Sequence, residues 1–342
     1  MVSIYDISKV VGTSASTVSL VLTGRAEELR ISQAKQKQIL EVANRMGYIP
    51  NMSARKLSSR NLKHMPEIAL FWSPAQHSIF LNIFMNVLQD MISKEEVREM
   101  RFTILPYRNG ELEKLESVLT ANYYNGVLVP PVFSEDLAFL TKTSIQVPVV
   151  LLYGDIPQFN LVSVDNFKVG TKIAHIFHRH GHTSVGIMMP VYKTPSLTIV
   201  QRNKGLSEAC HNLDMKVKLY TSEMDLPPAN KVEEGKIAAK KMLEEDSLPS
   251  ALYIQNDSLA LGALSVFSQQ GIRIPEDMEI IVYGINDSLE IHHPSITTVC
   301  YPTEEISRAC ITVMATLLDR PGTAPMQRII DTPFVFRESC RP

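Results

Sequence analysis

Apolar positions along the first fifty residues recur at helical spacing and are punctuated by glycine. Ile4, Ile7, Val10 and Val11 form one stripe, which stops at Gly12. Ser14 can cap a second helix with Val18, Val21 and Leu22 inward, closed by Gly24. Ser32 can cap a third, with Ile39, Val42, Ala43 and Met46 on its apolar side and Gly47 beyond; Lys35 stands where a capping box would carry an acid. Two short helices on a tight glycine turn, with a third behind them, predict a helix-turn-helix unit over 1–50. Residues 51–66 lose the stripe. Asn51 can cap a helix of about two turns, too short to persist in water alone, and Ser58, Ser59 and Asn61 then read as linker.

From Glu67 the pattern becomes short apolar runs alternating with amphipathic stretches. Strands are expected at 68–72, 102–105, 126–130, 147–152, 185–189, 251–254 and 279–283. Helices are expected at 80–93, 111–121, 168–180, 200–212, 232–245, 258–270 and 304–318. Such alternation predicts parallel sheets covered by helices on both faces, and two sheets suit 67–342 better than one. The fold class is therefore an all-α helix-turn-helix headpiece plus an α/β core of two doubly wound parallel-sheet lobes. Ligands of open parallel sheets bind beyond the carboxyl ends of the strands, so two facing lobes create a cleft.

Charge sharpens this division. Residues 1–65 carry ten Lys/Arg against four Asp/Glu, a net of +6, which leaves −8 on the remainder of a chain whose total is −2. A basic end on an acidic body points to a polyanionic partner at that end. Hydrophobic content of 45% and charged content of 20% are ordinary for a globular protein. No apolar run is long enough for a membrane span, and Met1–Asp6 does not read as a signal peptide, so a cytoplasmic protein without membrane contact is expected. Cys210, Cys300, Cys310 and Cys340 show no C-x-x-C spacing, and neither a disulfide framework nor a zinc site is expected. No dinucleotide fingerprint, phosphate loop, nucleophile elbow or H-E-x-x-H word is present, so no catalytic residues, enzyme activity or cofactor are expected. His178, His180 and His182 tempt a metal reading, but no metal is expected there.

The words of the chain narrow this further. Ile4-Tyr5-Asp6-Ile7-Ser8, Gly12-Thr13-Ser14, Thr17-Val18-Ser19, Leu22-Thr23-Gly24 and Met46-Gly47-Tyr48-Ile49-Pro50-Asn51 resemble the headpiece of the LacI/GalR family of transcriptional regulators. Val164-Asp165-Asn166, Gly181-His182, Gln201-Arg202-Asn203-Lys204-Gly205-Leu206, Gln255-Asn256-Asp257, Tyr283-Gly284-Ile285-Asn286-Asp287 and Arg337-Glu338-Ser339 are similar to the same family's periplasmic-binding-protein-like core. The resemblance implies a headpiece at 1–50, a hinge helix and linker at 51–66, and an effector-binding and dimerisation core at 67–342. Within the core it implies an N-terminal lobe of 67–161 and 301–325 and a C-terminal lobe of 162–292 and 326–338, with crossings near 162, 292 and 325.

It also implies roles. Tyr5, Ser14, Ala15, Ser16, Thr17, Ser19 and Leu20 would face DNA: hydroxyls on phosphate, Ala15, Ser16 and Leu20 on base edges. Asn51, Ala54, Arg55 and Leu57 would lie in a hinge that becomes helical on the operator, with Leu57 wedged between base steps in the minor groove. Ser73, Ile79, Phe80, Tyr153, Asp165, Arg202, Asn256, Asp257 and Asn286 would line the effector cleft, Arg202 as its donor fork. Asn256 and Asp257 have an alternative use as helix caps. Leu152 and Asn286 stand where sugar-binding relatives carry acids, which thins the groups that grip hydroxyls. The expected protein is a homodimeric, sequence-specific repressor on near-palindromic double-stranded operator DNA. Its effector would be a sugar or sugar derivative; a protein co-effector or a nucleobase-like co-repressor is the alternative. The apolar face of 80–93 (Ile83, Val87, Met91) and helix 258–270 are candidate dimer contacts.

Overall fold

The computed structural model describes residues 3–22, 26, 31–46, 65–73, 78–120, 123–130, 133–153, 156–191, 195–223, 230–285 and 287–342. The first helices are α1 (Ile4–Val11), α2 (Ala15–Leu22) and α3 (Gln33–Arg45). Each begins at a hydroxyl. Ser3 and Asp6 form a reciprocal capping box on α1, which sequence reading missed: Asp6 N donates to Ser3 Oγ at 3.2 Å and Ser3 N to Asp6 Oδ2 at 2.9 Å. Ser14 Oγ accepts Thr17 N at 3.0 Å and Ser32 Oγ accepts Lys35 N at 3.4 Å. Gly12 ends α1 at φ +68°, a conformation in which a Cβ would be strained. Ile7, Val11, Val18, Val21, Ile39, Val42 and Ala43 close one small core. Val10 does not join it and stays 53% exposed. Lys35 has a use of its own: its Nζ donates to Val11 O at 3.0 Å, fastening α3 to the carbonyl end of α1.

The core contains two six-stranded sheets of the same winding. The first lobe runs through β1 (Glu67–Trp72), α4 (Ser78–Ser93), β2 (Arg101–Pro106), α5 (Glu116–Thr120), β3 (Gly126–Val129), α6 (Ser134–Lys142), β4 (Val149–Leu152) and β5 (Asn160–Val164). The second holds α7 (Asn166–Arg179), β6 (Ser184–Met188), α8 (Leu197–Asn212), β7 (Lys216–Tyr220), α9 (Lys231–Leu243), β8 (Ala251–Ile254), α10 (Asp257–Gln269), β9 (Glu279–Gly284) and β10 (Thr297–Cys300). Then α11 (Thr303–Asp319) and β11 (Gln327–Ile330) return to the first lobe, and β12 (Phe334–Val335) to the second. The sheet orders are β11-β5-β4-β3-β1-β2 and β12-β10-β9-β8-β6-β7; all pairs are parallel except β10 with β12. Central strands β3, β4 and β8 are buried at every position, which is why they read as unbroken apolar runs.

The lobe boundaries fall later than the expected 162, 292 and 325. Strand β5 pairs with β4 and β11 with β5, so 160–164 and 327–330 belong to the first lobe; β10 pairs with β9, which keeps 297–300 in the second. The chain crosses near 165, 301–302 and 331–333. Asn160 makes the first of these assignments physical: its Nδ2 donates to Val149 O and its Oδ1 accepts Met326 N, joining β4 to the approach of β11. The helix expected at 111–121 is a 3₁₀ turn, Leu112–Leu115, followed by the five residues of α5. Of the α4 face expected to meet a dimer partner, Val87 and Met91 pack in the lobe's own core with Ile306, Cys310 and Met314 of α11, and Ile83 is partly buried against it. No helix among the described residues is long and apolar enough to cross a membrane.

Candidate functional site

Two regions gather the residues singled out above. In the headpiece, burying Val18 and Val21 turns the opposite side of α2 outward. Ser14 and Ser16 are exposed there, with Ala15, Thr17, Ser19 and Leu20 partly exposed beside them. Ser14 Oγ lies 2.8 Å from Ser16 Oγ and 2.7 Å from Thr17 Oγ1. These hydroxyls sit at the positive end of the helix, an arrangement suited to a phosphate oxygen. Tyr5 is 70% exposed on α1. Asn51, Ala54, Arg55 and Leu57 lie outside the described residues, as does Asn286.

The second region lies where the two lobes' strands end, the crevice side of open parallel sheets. Arg202 is its centre. Helix α8 carries it, and α8 is drawn against α7 by glycines: a Cβ on Gly170 would overlap Arg202 O, and one on Gly205 would overlap Phe167 O. That close backbone approach brings the first residue of α7 under the guanidinium. Asn166 Oδ1 accepts from Arg202 Nη2 at 2.9 Å and Nε at 3.3 Å, Tyr253 OH accepts from Nη1 at 3.2 Å, and Cζ lies 3.3 Å from the centre of the Tyr283 ring. Arg202 is only 4% exposed, so its charge is aimed by these contacts instead of dissipated in water. Burial pushes the Tyr253 hydroxyl's pKa up, against the pull of Arg202, and that of Tyr283 up to about 12; both remain protonated at neutral pH.

Aromatic rings lead from this anchor into the other lobe. Tyr301, on the crossing after β10, lies 6.4 Å from Tyr283, 5.6 Å from Tyr153 and 6.5 Å from Phe80. Phe80 in turn stacks on Trp72 at 5.9 Å. Tyr153 is held at φ +77°, an uncommon conformation for a tyrosine, and its buried hydroxyl has no hydrogen-bond partner among the described residues. Ser73 is buried at the end of β1, and Ile79 is 40% exposed at the start of α4.

Three expected cleft residues serve the scaffold. Asp165 is exposed and caps α7, accepting Lys168 N at 2.9 Å; the contact to Arg202 is made by its neighbour Asn166. Asn256 caps α10 through Leu259 N at 2.7 Å. Asp257 accepts Ser258 N at 2.8 Å and Ile285 N at 3.4 Å, tying α10 to the end of β9. Sequence reading missed Asn166, Tyr253, Tyr283, Tyr301 and Trp72. Their signal was a polar or aromatic residue at or beside the end of an apolar run.

Comparisons with known proteins fit this geometry. Residues 3–51 match the family of bacterial regulatory proteins, lacI family, and residues 174–340 match a periplasmic binding protein-like domain. The chain is 26% identical over 348 aligned positions to the Probable HTH-type transcriptional repressor ExuR of Bacillus subtilis, covering 100% of this chain and 99% of that protein. Among solved structures, a LacI family transcription regulator from Clostridium acetobutylicum is 28% identical with a TM-score of 0.70, covering 80% of this chain and 99% of that one. The transcriptional regulator CelR in complex with cellobiose superposes with a TM-score of 0.64 at 22% identity, covering 99% of this chain and 100% of its own.

Proposed function

Because this chain belongs to the lacI family of bacterial regulatory proteins, we propose that it is a sequence-specific repressor whose hold on operator DNA is set by a small molecule bound between its lobes. The headpiece reads the major groove with the first turns of α2, two copies of the chain read two half-sites, and the hinge at 51–58 folds only when the spacing of the two first lobes allows it. Leu57 enters the minor groove of the specific site. The effector is a sugar or sugar derivative. The cellobiose held by a structural neighbour supports that class, and so does a buried guanidinium beside tyrosine faces, which suits hydroxyls or a carboxylate on a ring.

The observation that carries this reading is Arg202, buried, oriented by Asn166 and Tyr253, and stacked on Tyr283. Effector binding acts by favouring one relative setting of the lobes, and Tyr301 is the ring that touches both. The mode is release from DNA. A thermal-shift screen of neutral sugars and sugar acids names the effector. Arg202→Ala is expected to retain operator affinity and lose the effector response by a factor of 100 or more, on the order of 3 kcal/mol for a charged hydrogen-bond partner. A variant that releases DNA normally overturns the site. One that binds operator only after ligand is added reverses the mode.

A further inference from the structure

At the opposite end of the second lobe's sheet, where strands begin, four side chains from distant stretches of sequence converge. His180 follows α7, His182 lies in the turn before β6, Glu279 is the first residue of β9, and Cys340 belongs to the final segment. Glu279 Oε2 is 2.7 Å from His180 Nδ1, 3.1 Å from His182 Nε2 and 3.4 Å from Cys340 Sγ, and Cys340 Sγ is 3.9 Å from His180 Nδ1. The donor atoms of His180, Glu279 and Cys340 all lie within 4.8 Å of one another. Cys340 is fully buried, and the other three side chains are 13–19% exposed, enclosed yet reachable from solvent.

We infer that His180, Glu279 and Cys340, with His182 as the fourth donor, form a binding site for a divalent transition ion of the zinc class. Two imidazoles, a thiolate and a carboxylate are a mixed N/S/O donor set that such ions accept in tetrahedral geometry. Bonds of about 2.0–2.3 Å set tetrahedral donors about 3.3–3.7 Å apart; the donor atoms of His180, Glu279 and Cys340 stand 2.7–3.9 Å apart, so these three need shifts of a fraction of an ångström to hold an ion.

His182 is oriented toward the cluster: its Nδ1 is 2.8 Å from Ser250 Oγ, an outer contact of the kind that positions a metal-bound histidine. Its buried Nε2 lies 3.1 Å from Glu279 Oε2, so a metal ion would replace that contact with two bonds to the same pair of donors. On coordination the Cys340 thiol gives its proton to solvent and binds as thiolate.

The consequence is a staple. The segment carrying Cys340 already lies against the sheet through Ser339, whose Oγ donates to Ile280 O at 2.7 Å and accepts Thr297 N at 2.8 Å. A metal would fix that segment to the end of α7 and the start of β9. This lies about 13 Å along β9 from Tyr283, away from the effector region.

The test uses the full-length protein, freed of metal by a chelator, titrated with Co²⁺ under reducing conditions and then with Zn²⁺. Expected are one Co²⁺ per chain, a thiolate-to-cobalt charge-transfer band with intense tetrahedral visible bands, their loss on adding Zn²⁺, and a melting temperature several degrees higher with Zn²⁺. Cys340→Ser removes the charge-transfer band, and Glu279→Gln weakens Co²⁺ at least about tenfold. Absence of stoichiometric binding to the wild type shows a hydrogen-bonded cluster and overturns the proposal. So does an unchanged band in Cys340→Ser, because the ion then sits on another cysteine. If Cys340→Ser does not fold, unchanged affinity in Glu279→Gln decides against it.

Discussion

In the second lobe, α7 meets α8 and α9 meets α10 backbone to backbone: Gly170 faces Arg202 O, Gly205 faces Phe167 O, Gly235 faces Leu259 O and Gly262 faces Val232 O. In the first lobe, α4 meets α11 through side chains. Val87, Met91, Ile306, Cys310 and Met314 interlock in the core, and Arg308 reaches out to Asp90 at 3.2 Å and Glu96 at 2.8 Å. Strand order is the same in both lobes, so the fold does not dictate the difference. A lobe joined by backbone contact cannot slide without a clash, whereas one joined by side chains can change rotamers. The first is a fixed seat for Arg202. The second is suited to shift in the way that the proposed effector response requires.

The most severe challenge to this contrast is a methyl group. Gly170→Ala is expected to cost the second lobe about 3 kcal/mol or more in urea unfolding, because the new Cβ meets backbone that cannot retreat. Gly126→Ala in the first lobe should cost only about 1 kcal/mol, since its Cβ meets the end of the flexible Met314 side chain. Equal costs would erase the distinction.

The smallest expected effect is electrostatic. A hydrogen bond from Lys94, and then one from Arg308, holds the Asp90 carboxyl below its ordinary pKa. A depressed folded-state pKa contributes stability that is complete above the unfolded value of about 4 and is lost as pH falls through the folded one. Arg308→Gln should therefore lower the first lobe's melting temperature slightly at neutral pH. The gap from wild type should close in strong acid and also in high salt. A gap that persisted there would mean that Arg308 acts through packing.

Legibility in the sequence followed the range of the interactions. Much of the headpiece could be read from its stripes, its serine caps and Gly12, because these signals are local; Gly24 and Gly47 lie outside the described residues. Fully buried strands such as β3 and β8 were also plain. Strand β7, with Lys216 and Lys218, and β11, beginning Gln327-Arg328, were not, since edge strands carry charge on their solvated side. Strand β5 escaped because five residues beginning with Asn160 carry no clear period, and that omission displaced the first lobe boundary. In the candidate site, Arg202 was legible from its surrounding word. Tyr301 was not, because its importance comes from which two sheets flank a crossing. His180 and His182 were noticed, but their partners Glu279 and Cys340 lie about 100 and 160 residues further along.

Each sheet takes an outermost strand from the last stretch of chain, β11 on one and β12 on the other. During synthesis, the headpiece has all its core residues once α3 leaves the ribosome, while both lobes wait for residues 327–335 before their sheets are complete. A nascent or truncated chain can therefore carry a finished DNA-reading unit on an unfinished body. On the proposed reading such a chain lacks the paired lobes that the hinge needs, so truncation before residue 327 should abolish tight operator binding and act as simple loss, not dominantly.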